Sequence, residues 1–109
     1  MLNPIADRVQ RYMDLLTVRQ QLTASNVANA DTPGYRTRDI DFSAELASAS
    51  GLPTIREVSS LPVKNDGNNV SLDRETQNLA ENSLRFQIAS QLIQGQIRLS
   101  RAAIQEGRS

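Results

Sequence analysis

The sequence predicts a mainly α-helical chain. Two long terminal amphipathic helices pack as an antiparallel coiled-coil-like pair, joined by an irregular middle segment with at most a short β hairpin. Apolar residues recur at spacings of three and four near both ends, as in helices that bury one face. The middle is rich in Ser, Asn, Gly and Pro, and a length of 109 residues suits one domain. The expected parts of this single domain are an N-terminal helix, a turn with an irregular linker, and a C-terminal helix, at residues 3–29, 30–72 and 73–106.

The N-terminal helix has a clear start and a clear apolar face. Asn3 suits the capping position and Pro4 the first helical position, where its missing N–H costs nothing. The helix is roughly 40 Å long at a rise of about 1.5 Å per residue. Its apolar residues form one stripe and a neighbouring one: Ile5, Val9, Tyr12 and Leu16, with Leu15, Val18 and Leu22 beside them.

The chain leaves this helix through residues 25–35, which read Ser-Asn-Val-Ala-Asn-Ala-Asp-Thr-Pro-Gly-Tyr. Asn26 and Asn29 either terminate the helix or form hydrogen bonds across an assembly contact, because buried asparagines fix register at some cost in stability. Pro33 and Gly34 predict a type II turn, in which Pro presets one φ and Gly takes the next, positive one.

The linker carries weaker signals. Polar and apolar residues alternate over Arg38–Phe42, which predicts a short extended piece with Asp39 and Asp41 at solvated positions. Residues 43–50 suit one or two helical turns. The segments that flank residues 65–69 suit a small hairpin or a loop.

The C-terminal helix is expected to begin near Asp73, capped by Ser71 or by Asp73 itself. Gly95 lies in its interior and either admits a closely packed second helix or is a tolerated weak point. The apolar stripe consists of Leu79, Phe86, Ala89, Ile93, Ile97 and Ile104, flanked by Leu84, Ile88, Leu92 and Leu99.

Both stripes are wider than one partner helix can bury, and a chain this small gains little stability from its own core. We therefore expect neighbouring copies to supply the missing surface. The predicted helix-packing interface consists of Leu15, Val18, Leu22, Leu79, Phe86, Leu92, Ile93 and Ile97.

The composition argues against catalytic, metal and cofactor sites. The chain has no Cys and no His, which excludes disulfides, thiolate nucleophiles, Cys/His zinc sites and Ser-His-Asp triads. Asp39 and Asp41 lack supporting groups for acid–base chemistry, and Asp66-Gly67 lacks the ligand spacing of an EF-hand. We expect no enzyme, no cofactor, no metal and no small-molecule substrate.

Charge and hydropathy argue against nucleic acid as a partner and against a membrane span. The net charge is zero, so the chain lacks the basic surface that binds nucleic acid. No stretch approaches the roughly 20 apolar residues of a membrane span. The N-terminus carries charges where a signal peptide has its apolar region. We expect neither nucleic acid as a partner nor a direct membrane span.

The residues of the turn carry a family resemblance. Residues 25–35 resemble the signature of the flagellar rod and hook axial proteins, in which Asn-(Ile/Leu/Val)-Ala-Asn ends the first helix and Thr-x-Gly-Tyr follows. Residues 36–42, 69–75 and 79–86 resemble a short proximal-rod member, without the β domain of larger relatives. The resemblance implies that the assembly motif consists of Asn26, Ala28, Asn29, Asp31, Thr32, Pro33, Gly34 and Tyr35.

The resemblance also implies a role. A chain of this family is a structural subunit of the bacterial flagellar basal-body proximal rod, self-assembling through its terminal helices to transmit motor torque. It reaches the periplasmic rod by type III export without a cleaved signal peptide. Implied partners are further copies of the chain, other flagellar rod proteins, the adaptor FliE and the MS ring. Two alternatives stay open: another short rod protein, of the FlgC type, and a cytoplasmic coiled-coil adaptor or chaperone.

Overall fold

A computed structural model describes residues 4–48 and 51–107. Helices dominate it, and the only strands in this described part are two short ones in the middle, so the predicted fold class is confirmed. The predicted capping residue Asn3 lies outside the described residues. In chain order the elements are α1 (Pro4–Ala28), β1 (Arg38–Asp39), α2 (Phe42–Ser48), β2 (Arg56–Glu57) and α3 (Leu72–Gly107).

Helices α1 and α3 pack side by side and run in opposite directions. Near the end of α1, Asn26 binds Glu75 in the first turn of α3. Further back along α1, Gln20 accepts a hydrogen bond from Asn82, which lies further along α3. This order of contacts gives the antiparallel pair that the sequence predicts.

Ser71 caps the N-terminus of α3. Its hydroxyl oxygen accepts a hydrogen bond from the Arg74 N–H at 3.3 Å, and its carbonyl accepts one from the Glu75 N–H at 3.0 Å. The first contact satisfies one of the N–H groups that a helix start leaves without partners, and the second is the first hydrogen bond of the helix itself. Of the two capping residues that the sequence suggests, Ser71 is therefore the one used.

The two long helices differ in length. Helix α1 has 25 residues and α3 has 36, so α3 is longer by roughly 16 Å at a rise of about 1.5 Å per residue. The pair is aligned where α1 ends and α3 begins, and the C-terminal turns of α3 therefore project past the start of α1. We call residues 97–107, all of them exposed, the overhang.

The hydrophobic core lies between the middle parts of α1 and α3, under the start of α2. The Phe42 ring is central to it: the Tyr12 ring meets it edge-on, with the centroids 5.4 Å apart, and the Arg85 guanidinium lies 4.9 Å from its centroid. These contacts anchor α2 on the helix pair. The buried core side chains are Leu15, Leu16, Ile40 and Phe42, with Tyr12, Val18, Leu22 and Phe86 packed against them.

The extended part of the linker pairs with a distant strand. Strands β1 and β2 are antiparallel, with Arg38 opposite Glu57 and Asp39 opposite Arg56. The flanks of residues 65–69 form no strands, so the loop and not the hairpin is correct there. Of the residues expected to form helical turns, Ser43–Ser48 lie in α2, while 49 and 50 lie outside the described part.

The prediction that Asp39 and Asp41 are solvated strand positions is wrong for Asp39 and incomplete for Asp41. Asp39 is buried because its carboxylate accepts hydrogen bonds from the guanidinium groups of Arg74 and Arg19. Asp41 is exposed, but it ends the extended piece by capping α2. Its carboxylate accepts a hydrogen bond from the Ala44 N–H at 3.2 Å.

Gly95 offers a direct test of helix propensity in α3. A Cβ added at this position meets no atom within 4 Å of the neighbouring structure. We expect Gly95→Ala to raise the free energy of unfolding by about 1 kcal/mol, because Ala loses less backbone entropy in a helix. Urea unfolding followed by far-UV circular dichroism measures the change. A lower stability would contradict the open surroundings of Gly95.

Candidate functional site

The turn after α1 has the predicted geometry. Gly34 adopts a φ of +76°, which only glycine reaches without strain. The Tyr35 N–H donates a hydrogen bond to the Thr32 carbonyl at 3.2 Å and closes the four-residue turn. Both features are those of a type II turn with Gly at its third position, so this prediction is confirmed.

Asn26 is the centre of the site, and it is 1% exposed. Its amide nitrogen donates to the Arg38 carbonyl at 2.9 Å and to a Glu75 carboxylate oxygen at 2.6 Å. Its amide oxygen accepts from the Tyr35 hydroxyl at 3.0 Å and from the Arg38 N–H at 3.1 Å. All four hydrogen-bonding positions of the amide are therefore filled within the chain. Asn26 joins the end of α1 to the turn, to β1 and to α3.

Asn29 acts locally. Its amide nitrogen donates to the Ser25 carbonyl at 2.8 Å, and its amide oxygen accepts from the Thr32 hydroxyl at 3.0 Å. The first contact adds a second donor to the Ser25 carbonyl, which also accepts the Asn29 N–H, and the second connects the helix end to the type II turn. Of the two roles that the sequence allows, Asn29 has the helix-terminating one within the chain.

A buried ionic cluster lies under the motif. Glu75 is fully buried, and both of its carboxylate oxygens accept hydrogen bonds from Arg74, at 3.0 and 3.2 Å. The same guanidinium binds Asp39, which Arg19 also approaches. Because each buried charge faces an opposite charge or an amide, the cluster avoids the cost of an isolated buried ion.

Sequence reasoning missed Glu75 as a site residue. A signal was present in the spacing of polar residues. Glu75, Asn78 and Asn82 recur at intervals of three and four, and all three are buried on the side of α3 that meets α1. A polar stripe on a helix face that contacts another helix predicts a hydrogen-bonded interface.

The loop before α3 also reaches the turn, and sequence reasoning missed this as well. Asn68 is fully buried, and its amide nitrogen donates to the carbonyls of Asn29 and Thr32, both at 2.9 Å. Its amide oxygen accepts from the Val70 N–H at 2.8 Å. No sequence periodicity marks a polar residue in an irregular loop, so no sequence signal indicated this contact.

The next residue, Asn69, holds the chain that follows the turn. Its amide oxygen accepts from the Thr37 N–H at 2.6 Å, and its amide nitrogen donates to the Val58 carbonyl at 2.8 Å. Its own N–H donates to the Tyr35 carbonyl at 3.3 Å. Asn68 and Asn69 therefore bind the two sides of the same turn.

The predicted assembly motif has a buried half and an exposed half. Asn26 is buried, and Asn29 and Tyr35 are half-buried. Ala28 is exposed at the end of α1, and residues 31–34 are exposed at the turn. We call Asp31–Gly34 the tip. It is the exposed loop of the motif, and another molecule can reach it.

The predicted interface residues also separate into two groups. Leu15 is fully buried, and Val18, Leu22 and Phe86 pack against the core of the same chain. Ile93 is half-buried. The remaining three are exposed, Leu79 by 37%, Leu92 by 51% and Ile97 by 46%.

An open apolar groove of about 500 Å³ lies where the start of α1, α2 and α3 meet. Leu92 and Ile88 line it from α3, and Leu46 lines it from α2. Each of these side chains keeps more than a third of its surface exposed. The groove brings Leu92 together with apolar residues at the start of α1, namely Ile5, Val9 and Tyr12.

Within residues 4–48 and 51–107, no group of three or more acidic, Cys or His residues could hold a metal ion. None of the helices in them is both long and apolar enough to cross a membrane.

Comparison with known proteins gives a consistent result. The family model described as "Flagella basal body rod protein" matches residues 13–36, which cover the second half of α1 and the turn. The chain is 35% identical to flagellar basal body rod protein FlgB of Yersinia enterocolitica, over 90% of the chain and 91% of that protein. It is 34% identical to FlgB of Escherichia coli over the same shares. It is 39% identical to FlgB of Cereibacter sphaeroides, over 76% of the chain and 80% of that protein.

Proposed function

Because the chain belongs to the FlgB family of flagellar basal body rod proteins, we propose that it builds the proximal rod by self-assembly through its terminal helices. The family makes it a structural subunit of the flagellar basal-body rod, which assembles with other basal-body components. The comparisons favour this function over a rod protein of the FlgC type and over a cytoplasmic adaptor or chaperone.

The exposed apolar surface of α3 is the observation that supports self-assembly. Ala89 is fully buried against α1, whereas Ile88, one residue earlier and about 100° around the helix, is 47% exposed. A row of apolar residues on one side of a helix marks a contact surface. On the exposed side of α3 this row consists of Leu84, Ile88, Leu92 and Leu99.

The helix pair and the tip have different roles in this proposal. Leu15, Val18, Leu22 and Phe86 hold α1 and α3 together within one copy. Leu79, Leu92, Ile93 and Ile97 contact neighbouring subunits, since they remain wholly or partly open to solvent. The tip, at the end of the molecule opposite the overhang, contacts a further subunit. Each copy then transmits torque through its paired helices to the next copy.

The proposal extends to partners and location. Further copies of the chain and other rod proteins are the lateral and axial neighbours. FliE and the MS ring lie at the base of the rod, and the rod itself lies in the periplasm. The subunit reaches it by type III export without a cleaved signal peptide. Its role is mechanical, with no catalytic activity, no small-molecule substrate and no nucleic acid.

Substitution of Leu92 by Asp tests the proposal. A carboxylate at this half-exposed position has to be desolvated when a neighbouring subunit covers the groove, so we expect rod assembly to be abolished. Cells that carry Leu92→Asp as their sole copy should not swim in soft agar, and electron microscopy should reveal no complete rods.

A matched control separates the apolar contact from the added charge. Gln91 is exposed one residue earlier on the same helix, and Gln91→Asp adds the same charge without removing an apolar side chain. We expect Gln91→Asp cells to swim, and circular dichroism of both purified variants should show equal helix content. Normal swimming with Leu92→Asp would rule out this face of α3 as an assembly contact.

A further inference from the structure

We propose that Gly67, Asn68 and Asn69 are positioning residues for assembly, because they set the place and angle at which the tip is presented to another subunit. This inference rests on the proposed function, in which the tip is a contact between subunits. It adds a second segment to the motif, more than thirty residues later in the sequence.

The tip has few contacts of its own. Within the turn, one hydrogen bond joins Tyr35 to Thr32. Two hydrogen bonds join Thr32 directly to the end of α1, from its N–H to the Asn29 carbonyl and from its hydroxyl to the Asn29 amide oxygen. Asn68 adds a bridge from outside the motif, because its amide nitrogen donates both to the Asn29 carbonyl and to the Thr32 carbonyl. One planar group that holds both carbonyls restrains the angle between α1 and the tip. At the far side of the turn, the Gly34 N–H donates to the Asp66 carbonyl at 2.8 Å.

Gly67 sets how closely the loop and the turn approach each other. It adopts a φ of +85°, and a Cβ added to it would lie 3.3 Å from the Cα of Gly34. The two glycine backbones therefore meet directly, with no side chain between them. A Cβ at this position requires the turn to shift by a few tenths of an ångström, because the atom that it meets is backbone and cannot rotate away.

Asn69 completes the arrangement on the C-terminal side. It binds Tyr35 through its N–H and Thr37 through its amide oxygen, so the chain that leaves the tip is held by the same loop. The loop thus binds the chain before the tip at Asn29, within it at Thr32 and Gly34, and after it at Tyr35 and Thr37. The core cluster in the middle of the helix pair, formed by Leu15, Leu16, Ile40 and Phe42, is separate from Gly67, Asn68 and Asn69. The position of the tip therefore depends on residues other than those of this cluster.

Gly67→Ala tests the inference, with Gly51→Ala as its matched control. Gly51 has nearly the same φ, +88°, but a Cβ added there meets no atom within 4 Å. Both variants carry the same backbone strain, and only Gly67→Ala pushes on the turn. We expect the amides of Gly34 and Tyr35 to exchange with solvent about tenfold faster in Gly67→Ala than in Gly51→Ala. Exchange at the buried Leu16 amide should be equal in the two variants.

Assembly in cells provides the readout that a purely structural role would not change. With each variant as the sole copy, we expect about tenfold fewer complete rods for Gly67→Ala than for Gly51→Ala, at matched unfolding midpoints. Equal rod numbers, despite faster exchange at Gly34, would overturn the positioning role. That outcome would leave the proposed function intact, which Leu92→Asp tests separately.

A second pair of variants tests the hydrogen bonds. Asn68→Asp replaces the donor to two carbonyls with a carboxylate oxygen, whereas Asn65→Asp makes the same change at an exposed residue of the same loop. We expect rods with Asn65→Asp and about tenfold fewer with Asn68→Asp. Equal rod numbers would count against Asn68 as a positioning residue. If circular dichroism shows that Asn68→Asp does not fold, the glycine pair decides the question.

Discussion

We expect Asn26→Asp to lower the free energy of unfolding by about 4 kcal/mol, a large loss for an isosteric change. The amide nitrogen of Asn26 lies 2.6 Å from a Glu75 carboxylate oxygen and 2.9 Å from the Arg38 carbonyl. In the variant an acceptor takes the place of this donor, so two carboxylates face each other in a site from which water is excluded. Loss of the two donated hydrogen bonds adds to this repulsion.

Urea unfolding followed by circular dichroism measures the change in the free energy of unfolding. Two further variants serve as controls for its cause. Asn65→Asp makes the same change at an exposed loop residue and should alter the free energy of unfolding by less than about 0.5 kcal/mol. Glu75→Gln, combined with Asn26→Asp, restores a donor opposite the new carboxylate and should recover about half of the loss. An Asn26→Asp chain as stable as the Asn65→Asp chain would contradict the central role of Asn26.

Leu16→Ala has the second largest expected effect on stability. Leu16 is fully buried in the small central core cluster, together with Leu15, Ile40 and Phe42. Truncation removes buried apolar surface and leaves a cavity that a small, rigid helix pair fills poorly. We expect the free energy of unfolding to fall by about 3 kcal/mol.

The control for this cavity is a leucine outside the core. Leu99 lies in the overhang and is 66% exposed, so Leu99→Ala should change the free energy of unfolding by less than about 0.5 kcal/mol. Guanidinium unfolding of both variants gives the comparison at equal helix content. Similar midpoints for the two variants would mean that the core between α1 and α3 does not carry the stability of the isolated chain.

The parts of the fold that depend on local sequence could be predicted from it. The spacing of Val9 and Leu16 indicates the buried face of α1, since a helix repeats every 3.6 residues. Pro33 and Gly34 indicate a type II turn. The proline ring restricts φ at the first position, and the absence of a side chain in glycine permits a positive φ at the next. Information of this kind lies within a few residues and needs no knowledge of the rest of the chain.

The polar part of the site could not be predicted in the same way. The sequence predicts Asp39 to be solvated, and the residue type alone does not mark Glu75 as buried, because acidic residues are rarely buried without a partner. Their shared partner, Arg74, is adjacent to one of them and 35 residues from the other. Asn68 likewise gains its role from carbonyls 36 and 39 residues away. Only the folded chain brings these groups together.

The two ends of the molecule differ. One end is the overhang, a single helix, and the other end carries the tip, where α1 ends and α3 begins. No rotation that swaps the extremities restores the same outline. Copies that stack head to tail along the long axis, 70 Å in extent, therefore all point the same way. A column of copies with one orientation has two different end faces. A subunit that adds at one end therefore contacts a different surface from a subunit that adds at the other end.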